Sequence, residues 1–173
     1  MSLPCVDGVV PDALPSAPLA LGYVDGQYVT DAALRATKRF RLVVSVTVEG
    51  HPDAQVADCE SGDLTPIASA LWAIDRLRAG RRPTIYATAS NRDVVVYELR
   101  RRRYRADLVD WFLADWKSVG QPRTRVRREL FVPDSWAAWQ YASDVTWARG
   151  RFDLSVVTNR WALRHGYRLG TAP

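Results

Sequence analysis

The sequence predicts an α/β domain of mostly parallel strands, built as a doubly wound sheet or a (β/α) barrel. Three observations carry that reading. Residues 41–48 (RLVVSVTV) and 83–88 (PTIYAT) are short β-prone runs rich in branched and aromatic side chains. Between 66 and 79 lies a helical segment with an apolar residue at nearly every turn. Strand 54–60, that helix and strand 83–88 then follow in the order of a right-handed βαβ unit.

Taken in order, residues 1–18 are rich in Pro, Ala and Ser without a period, and read as an extended arm leading into a domain spanning 19–173. Leu19 to Val24 is the first expected strand, and Thr30 and Asp31 cap a short helix reaching about Arg39. Residues 41–48 and 54–60 are the next strands, the second ending in the turn Ser61-Gly62-Asp63. Thr65 as cap and Pro66 at the first helical position open the helix to Ala79, with Ile67, Leu71, Ile74 and Leu77 as its apolar stripe. Gly80 closes it before the strand at 83–88. Ser90 and Asp93 start a second amphipathic helix carrying Val94 and Tyr97, and its arginine-rich end suits the helix dipole. Val109 to Ala114, Ala137 to Tyr141 and Phe152 to Val157 are the remaining strands. One interval constrains a barrel. About five residues separate the strands near Val48 and Ala54, whereas a parallel crossover takes a dozen or more, so a barrel here must be abbreviated or irregular.

The chain has 173 residues, 47% hydrophobic and 25% charged, which suits one globular domain with a real core. No apolar run approaches the ~20 residues of a membrane span, so no membrane partner is expected. Cys5 and Cys59 make no disulfide framework, and His51 and His165 are too few and too scattered for a zinc centre. No glycine-rich phosphate loop is present, so neither metal nor cofactor is expected. The net charge of +5 is concentrated in Arg100–Arg103 with Arg105, and in Arg123, Arg125, Arg127 and Arg128. These blocks are either solvated helix ends or weak polyanion sites.

Acids near strand ends are Asp25, Asp58, Glu60, Asp115 and Asp153. Asp58 and Glu60 stand two apart, so on a strand they share a face at about 6–7 Å. Two carboxyl groups that close cannot both ionise cheaply, and one pKa should rise. A carboxylic acid protonated near neutrality can donate to a glycosidic oxygen while its neighbour stabilises positive charge. The plainer reading makes both solvated acids ahead of the helix at Pro66. Cys59 between them faces the other way and is flanked by acids that disfavour a thiolate. Trp111, Trp116, Trp136, Trp139, Tyr23, Tyr86 and Tyr141 would suit either sugar stacking or the core.

In order, the motifs Asp58-Cys59-Glu60, Pro83-Thr84-Ile85-Tyr86, Trp111 to Ala114, Trp139-Gln140-Tyr141 and Phe152-Asp153-Leu154 resemble those of the family 25 glycoside hydrolases, the lysozyme-type muramidases. Gly22 to Gly26 (GYVDG) and Asp58 to Asp63 (DCESGD) look closer to a smaller actinobacterial and actinophage branch. The resemblance implies an abbreviated or irregular TIM-like barrel that cleaves the β-1,4 bond between N-acetylmuramic acid and N-acetylglucosamine in peptidoglycan. It implies Glu60 as general acid, Asp58 orienting the substrate's 2-acetamido group or stabilising the oxocarbenium, and Asp25 and Asp153 as the first- and last-strand aspartates. Tyr23, Tyr86, Asp115, Trp139 and Tyr141 are the expected substrate contacts. Residues 1–18 show no signal-peptide pattern, so cytoplasmic synthesis, with release to the wall during phage lysis, is the expectation. The alternative is a catalytically silent barrel that binds a glycan or polyanion.

Overall fold

The computed structural model describes residues 2–115, 132, 135–147 and 150–168. Eight strands close into one barrel in sequence order: β1 (Ser2–Asp7), β2 (Leu19–Tyr23), β3 (Leu42–Thr47), β4 (Val56–Cys59), β5 (Thr84–Ala87), β6 (Asp110–Ala114), β7 (Ala138–Trp147) and β8 (Gly150–Thr158). Neighbours from β1 to β7 run parallel, while β8 runs antiparallel between β7 and β1. Helix α1 (Asp31–Thr37) follows β2, α2 (Pro66–Arg78) follows β4, α3 (Ala89–Arg101) follows β5, and α4 (Asn159–Arg164) follows β8. The α/β barrel class expected from sequence is therefore the fold observed.

The expected N-terminal arm is corrected. Ser2–Asp7 is a barrel strand, pairing with β2 through Cys5 and Leu19 and with β8 through six residue pairs from Ser2–Thr158 to Asp7–Asp153. Pro4 hides it in the sequence, because a proline donates nothing to a ladder and argues against an interior strand. What holds it is burial: Pro4, Cys5, Val6 and Asp7 are all buried.

The short step from β3 to β4 is resolved by register. Val46 pairs with Val56 and Thr47 with Ala57, so β4 starts level with the last residues of β3. The chain backs up by about one residue instead of a whole strand, and needs no crossover helix. The connecting loop packs directly on α2, where Trp72 Nε1 donates to the His51 carbonyl at 3.0 Å and Arg76 to that of Pro52 at 2.6 Å.

Thr65 caps α2 by accepting from the Ala68 amide at 3.2 Å, with Pro66 in the first turn, as the sequence indicates. Its expected stripe holds at Ile74 and is corrected at Ile67 and Leu71. Ile67 and Leu71 are exposed, whereas Ser69, Ala70, Trp72, Ala73 and Ile74 face the barrel. Small residues let the helix approach the sheet closely, and this sets its rotation. On α3, likewise, Val94 and Tyr97 are exposed and Val95, Glu98 and Leu99 are buried.

Inside the barrel, Val44, Val46, Val56, Tyr86 and Phe112 form one cluster with Trp161 of α4, which closes the N-terminal end. Trp161 meets Phe112 edge-on at 6.0 Å and donates to Thr84 Oγ1 at 3.0 Å. His165 sits beneath it between Gln55 and Thr84, and burial drives its imidazole down to about 4, so it is neutral. Cys59 packs outside the sheet against α2 and α3, and both cysteines are free. Among the described residues no helix is long and apolar enough to cross a membrane.

Candidate active site

Alternation along the strands decides what reaches the C-terminal mouth of the barrel. Counting up each strand from its apolar inward residues places Asp7 on β1, Tyr23 on β2, Asp58 on β4, Tyr86 on β5 and Gln140 on β7 facing the interior at that end. Because β8 is antiparallel, its early residue Asp153 lies at the same end, directly opposite Asp7 in the ladder. Asp25, Glu60 and Asp63 stand just beyond their strands. A cavity of about 620 Å³ opens there, lined by Asp7, Tyr23, Asp25, Asp58, Glu60, Asp63 and Asp153, with Arg151 the one cation on its described wall.

The hydrogen bonds sort these acids into two kinds. Asp25 is tied into the scaffold: it accepts from Thr47 Oγ1, from the Val48 amide at 2.8 Å and from the His51 amide at 3.3 Å, clamping the β3–β4 loop. Gly26 turns the chain there at φ +80°, and a Cβ on it would meet Val48 Cγ2 at 2.3 Å. Asp7 and Asp153 are tied instead to polar groups of the barrel interior. Tyr23 Oη donates to Asp7 Oδ2 at 3.3 Å. Tyr86 Oη donates to Gln140 Oε1, and Gln140 Nε2 donates to Asp153 Oδ2 at 2.6 Å. Asp58 is 4% exposed, and its Oδ1 has no hydrogen-bond partner among the described residues.

Burial and mutual repulsion shift Asp7, Asp58, Glu60 and Asp63 toward the protonated form. Burial raises Glu60 to about 7, and the charges of Asp153 and Asp63 add to the effect. Asp58 lies well above the usual carboxylate range through burial, then through Glu60, Asp63, Asp7 and Asp153. Asp7 is raised by burial and by Asp153, against the opposing hydrogen bond from Tyr23. Asp63 is raised by burial and Asp25. The arrangement offers a protonated carboxyl group near neutral pH beside acceptors that stabilise positive charge.

Of the sequence-predicted site residues, Glu60, Asp58, Asp25, Asp153 and Tyr23 line the cavity. Tyr86 lies beneath it in the barrel interior and reaches the site through Gln140. Asp115, Trp139 and Tyr141 do not line it. Trp139 and Tyr141 point outward, packing edge-on at 6.0 Å in the layer behind the sheet, and Tyr141 is fully buried there. Trp139 Nε1 donates to the Asp115 carbonyl at 3.1 Å. Gln140 between the two rings is the residue that faces inward. The period of two that singles out Asp58 and Glu60 also picks it out. Asp25 does not stand on the first strand: β1 precedes β2, and its Asp7 lies opposite Asp153 in the ladder. Gln27, Tyr28, Glu49, Asp63 and Arg151 are further residues not anticipated at the cavity. Trp116 and the block Arg123, Arg125, Arg127 and Arg128 lie outside the described residues.

No protein-family model and no curated protein matches the chain. Two solved structures are similar. The Clostridium perfringens spore cortex lytic enzyme SleM is 9% identical with a TM-score of 0.54, covering 91% of this chain and 68% of its own. The CTP1L endolysin is 15% identical with a TM-score of 0.45, covering 86% of this chain, which spans 60% of the endolysin chain. At such identities the likeness to SleM is one of fold.

Proposed function

We propose that this chain is a peptidoglycan glycoside hydrolase of muramidase type, cleaving the β-1,4 bond between N-acetylmuramic acid and N-acetylglucosamine. The observation that carries the reading is Glu60, a carboxyl group held to about 7 at the mouth of a barrel among other carboxyl groups. The barrel is of the kind on which SleM, a spore cortex lytic enzyme, is built.

In this mechanism Glu60 gives its proton to the glycosidic oxygen as the bond from that oxygen to the anomeric carbon breaks. The substrate's acetamido oxygen closes on the anomeric carbon, and Asp58 accepts a hydrogen bond from the acetamido N–H through its unpartnered Oδ1. A water then loses a proton to the Glu60 carboxylate and opens the ring, returning the enzyme to its starting state. Burial, with the charges of Asp153 and Asp63, keeps Glu60 protonated until the substrate arrives. Asp153, held by Gln140 and so by Tyr86, and Asp7, held by Tyr23, form the floor beneath the sugar.

The test is reducing-end release from purified peptidoglycan by wild type and by Glu60→Gln. Release by the wild type alone supports the assignment. Equal release by both removes Glu60 from the mechanism, and wall binding without release by either leaves a glycan-binding barrel.

A further inference from the structure

A second cavity of about 470 Å³ lies away from the carboxylate mouth, between α3, the segment leading into β6, and α4 at the N-terminal end of the barrel. Its wall gathers Arg82, Arg92, Arg160 and Arg164 around Trp111 and Trp136. Two carboxylates also line it, Asp107 and Asp110. Both are already engaged: Asp110 holds Arg82 at 2.9 Å and Arg164, and Asp107 holds Arg105 at 2.6 Å.

That leaves Arg92 and Arg160 without a carboxylate among the described residues. The guanidinium of Arg92 is 5.5 Å from the ring centre of Trp111 and 5.0 Å from that of Trp136. An aromatic cradle fixes a guanidinium without cancelling its charge, unlike a carboxylate. The Arg92 Nε is buried and has no hydrogen-bond partner among the described residues. Arg164 is pushed below the usual guanidinium value by burial and by Arg82 beside it, as expected where cations outnumber their counter-ions.

We infer that this cavity is a binding site for a phosphate-class oxyanion, carried free or as a phosphate ester. Forked guanidinium donors match the oxygens of a phosphate in pairs, and the two uncommitted ones here arrive from separate helices, α3 and α4. Water takes about 30 Å³ per molecule in the liquid, so the cavity has room for a ligand well beyond the bare ion. The Trp136 ring and the aliphatic stems of the arginines would contact the remainder of an ester. The site stands apart from the carboxylate cleft and does not depend on the hydrolase reading.

The test is titration calorimetry of the whole chain with inorganic phosphate and with glycerol 3-phosphate, in sodium chloride that screens exposed charge. Wild type should bind at least one of them. Tighter binding of glycerol 3-phosphate makes an ester the ligand, and equal or tighter binding of phosphate makes it the free ion. Arg92→Met, which keeps the packing on both rings, and Arg160→Ala, which removes an exposed side chain, should each weaken binding about tenfold. Arg100→Ala, on the exposed end of α3, should not change it. The proposal fails if wild type binds neither probe, or if Arg100→Ala weakens binding as much as Arg160→Ala. It also fails if both cavity variants bind like wild type. Arg160→Ala keeps the test open if Arg92→Met does not fold.

Discussion

At the C-terminal mouth of the barrel Asp7, Asp58, Glu60 and Asp63 crowd together, and their carboxyl groups are all shifted toward the protonated form. At the opposite end each carboxylate sits on guanidinium groups: Glu98 on Arg101 and Arg102, Asp107 on Arg105, and Asp110 on Arg82 and Arg164. There Glu98 and Asp107 are shifted the other way, by hydrogen bonds from those arginines. The same side chain thus does opposite work at the two ends. Paired carboxylates hold elements together, whereas the crowded ones raise the energy of the folded chain and in exchange present a transferable proton. The basic block of Arg100–Arg103 with Arg105 belongs to the first kind, since Arg101, Arg102 and Arg105 are spent on Glu98 and Asp107.

One isosteric change, Glu to Gln, made at each end gives the largest contrast. Glu60→Gln should lower hydrolysis by about 10²–10⁴-fold, the usual worth of a general acid. Glu98→Gln should leave the turnover number unchanged and lower the melting temperature at neutral pH. Reducing-end assays and thermal melts on both variants decide it. Loss of turnover in Glu98→Gln with an intact fold would break the division between the ends.

Next in size is Asp110→Asn. Asp110 is 8% exposed and bridges Arg82 from the β5 entry to Arg164 of α4. Removing its charge leaves two guanidinium groups facing each other, at a cost of about 3 kcal/mol. Urea unfolding should show a lower midpoint with an unchanged slope. A midpoint equal to that of wild type would mean that the pairing is not structural.

How much of this contrast is legible in the sequence depends on how local each signal is. Thr65 and Pro66 announce α2, and the alternation of Val56, Asp58 and Glu60 announces the acidic strand end, because caps and strand periodicity need no knowledge of the rest of the chain. Asp7 is not legible. Pro4 disguises its strand, which exists because the sheet closes and offers it two partners. The β3–β4 step is equally hidden, since the stagger that shortens it is a property of barrel closure. Gln140 was within reach, but the rings on either side are the louder feature, and both face away from the site. The salt bridges of the far end join residues up to 54 positions apart, as between Asp110 and Arg164, and no spacing rule finds such pairs.

Tyr86→Phe separates positioning from chemistry with a smaller effect. The hydroxyl of Tyr86 reaches Asp153 only through Gln140. Removing it leaves Gln140 free to rotate, so turnover should fall by about tenfold, the equivalent of one good hydrogen bond. The alkaline limb of the pH–rate profile should move as Asp153 shifts relative to Glu60, because the charge of Asp153 helps hold the Glu60 proton. A merely structural role would lower stability without moving that limb.

The smallest expected effect is also the most direct measure of the difference between the ends. Glu60 titrates at about 7 in the folded chain against an ordinary value of 4.5. Between those values the folded state holds a proton that the unfolded state has released, so stability falls as pH rises through that window. Glutamine carries no such cost. Glu60→Gln should therefore melt a few degrees higher than wild type at about pH 8, and the advantage should vanish by about pH 4. Glu98 has the opposite sign. Its depressed value contributes stability that is present above the ordinary carboxylate range and lost as pH falls through the folded value. The deficit of Glu98→Gln should thus be full at about pH 8 and shrink toward acid. A Glu60→Gln variant less stable than wild type at about pH 8, or one whose offset is the same at both pH values, would show that Glu60 pays no ionisation cost in the cleft. The assignment of the mouth as the strained end would fall with it.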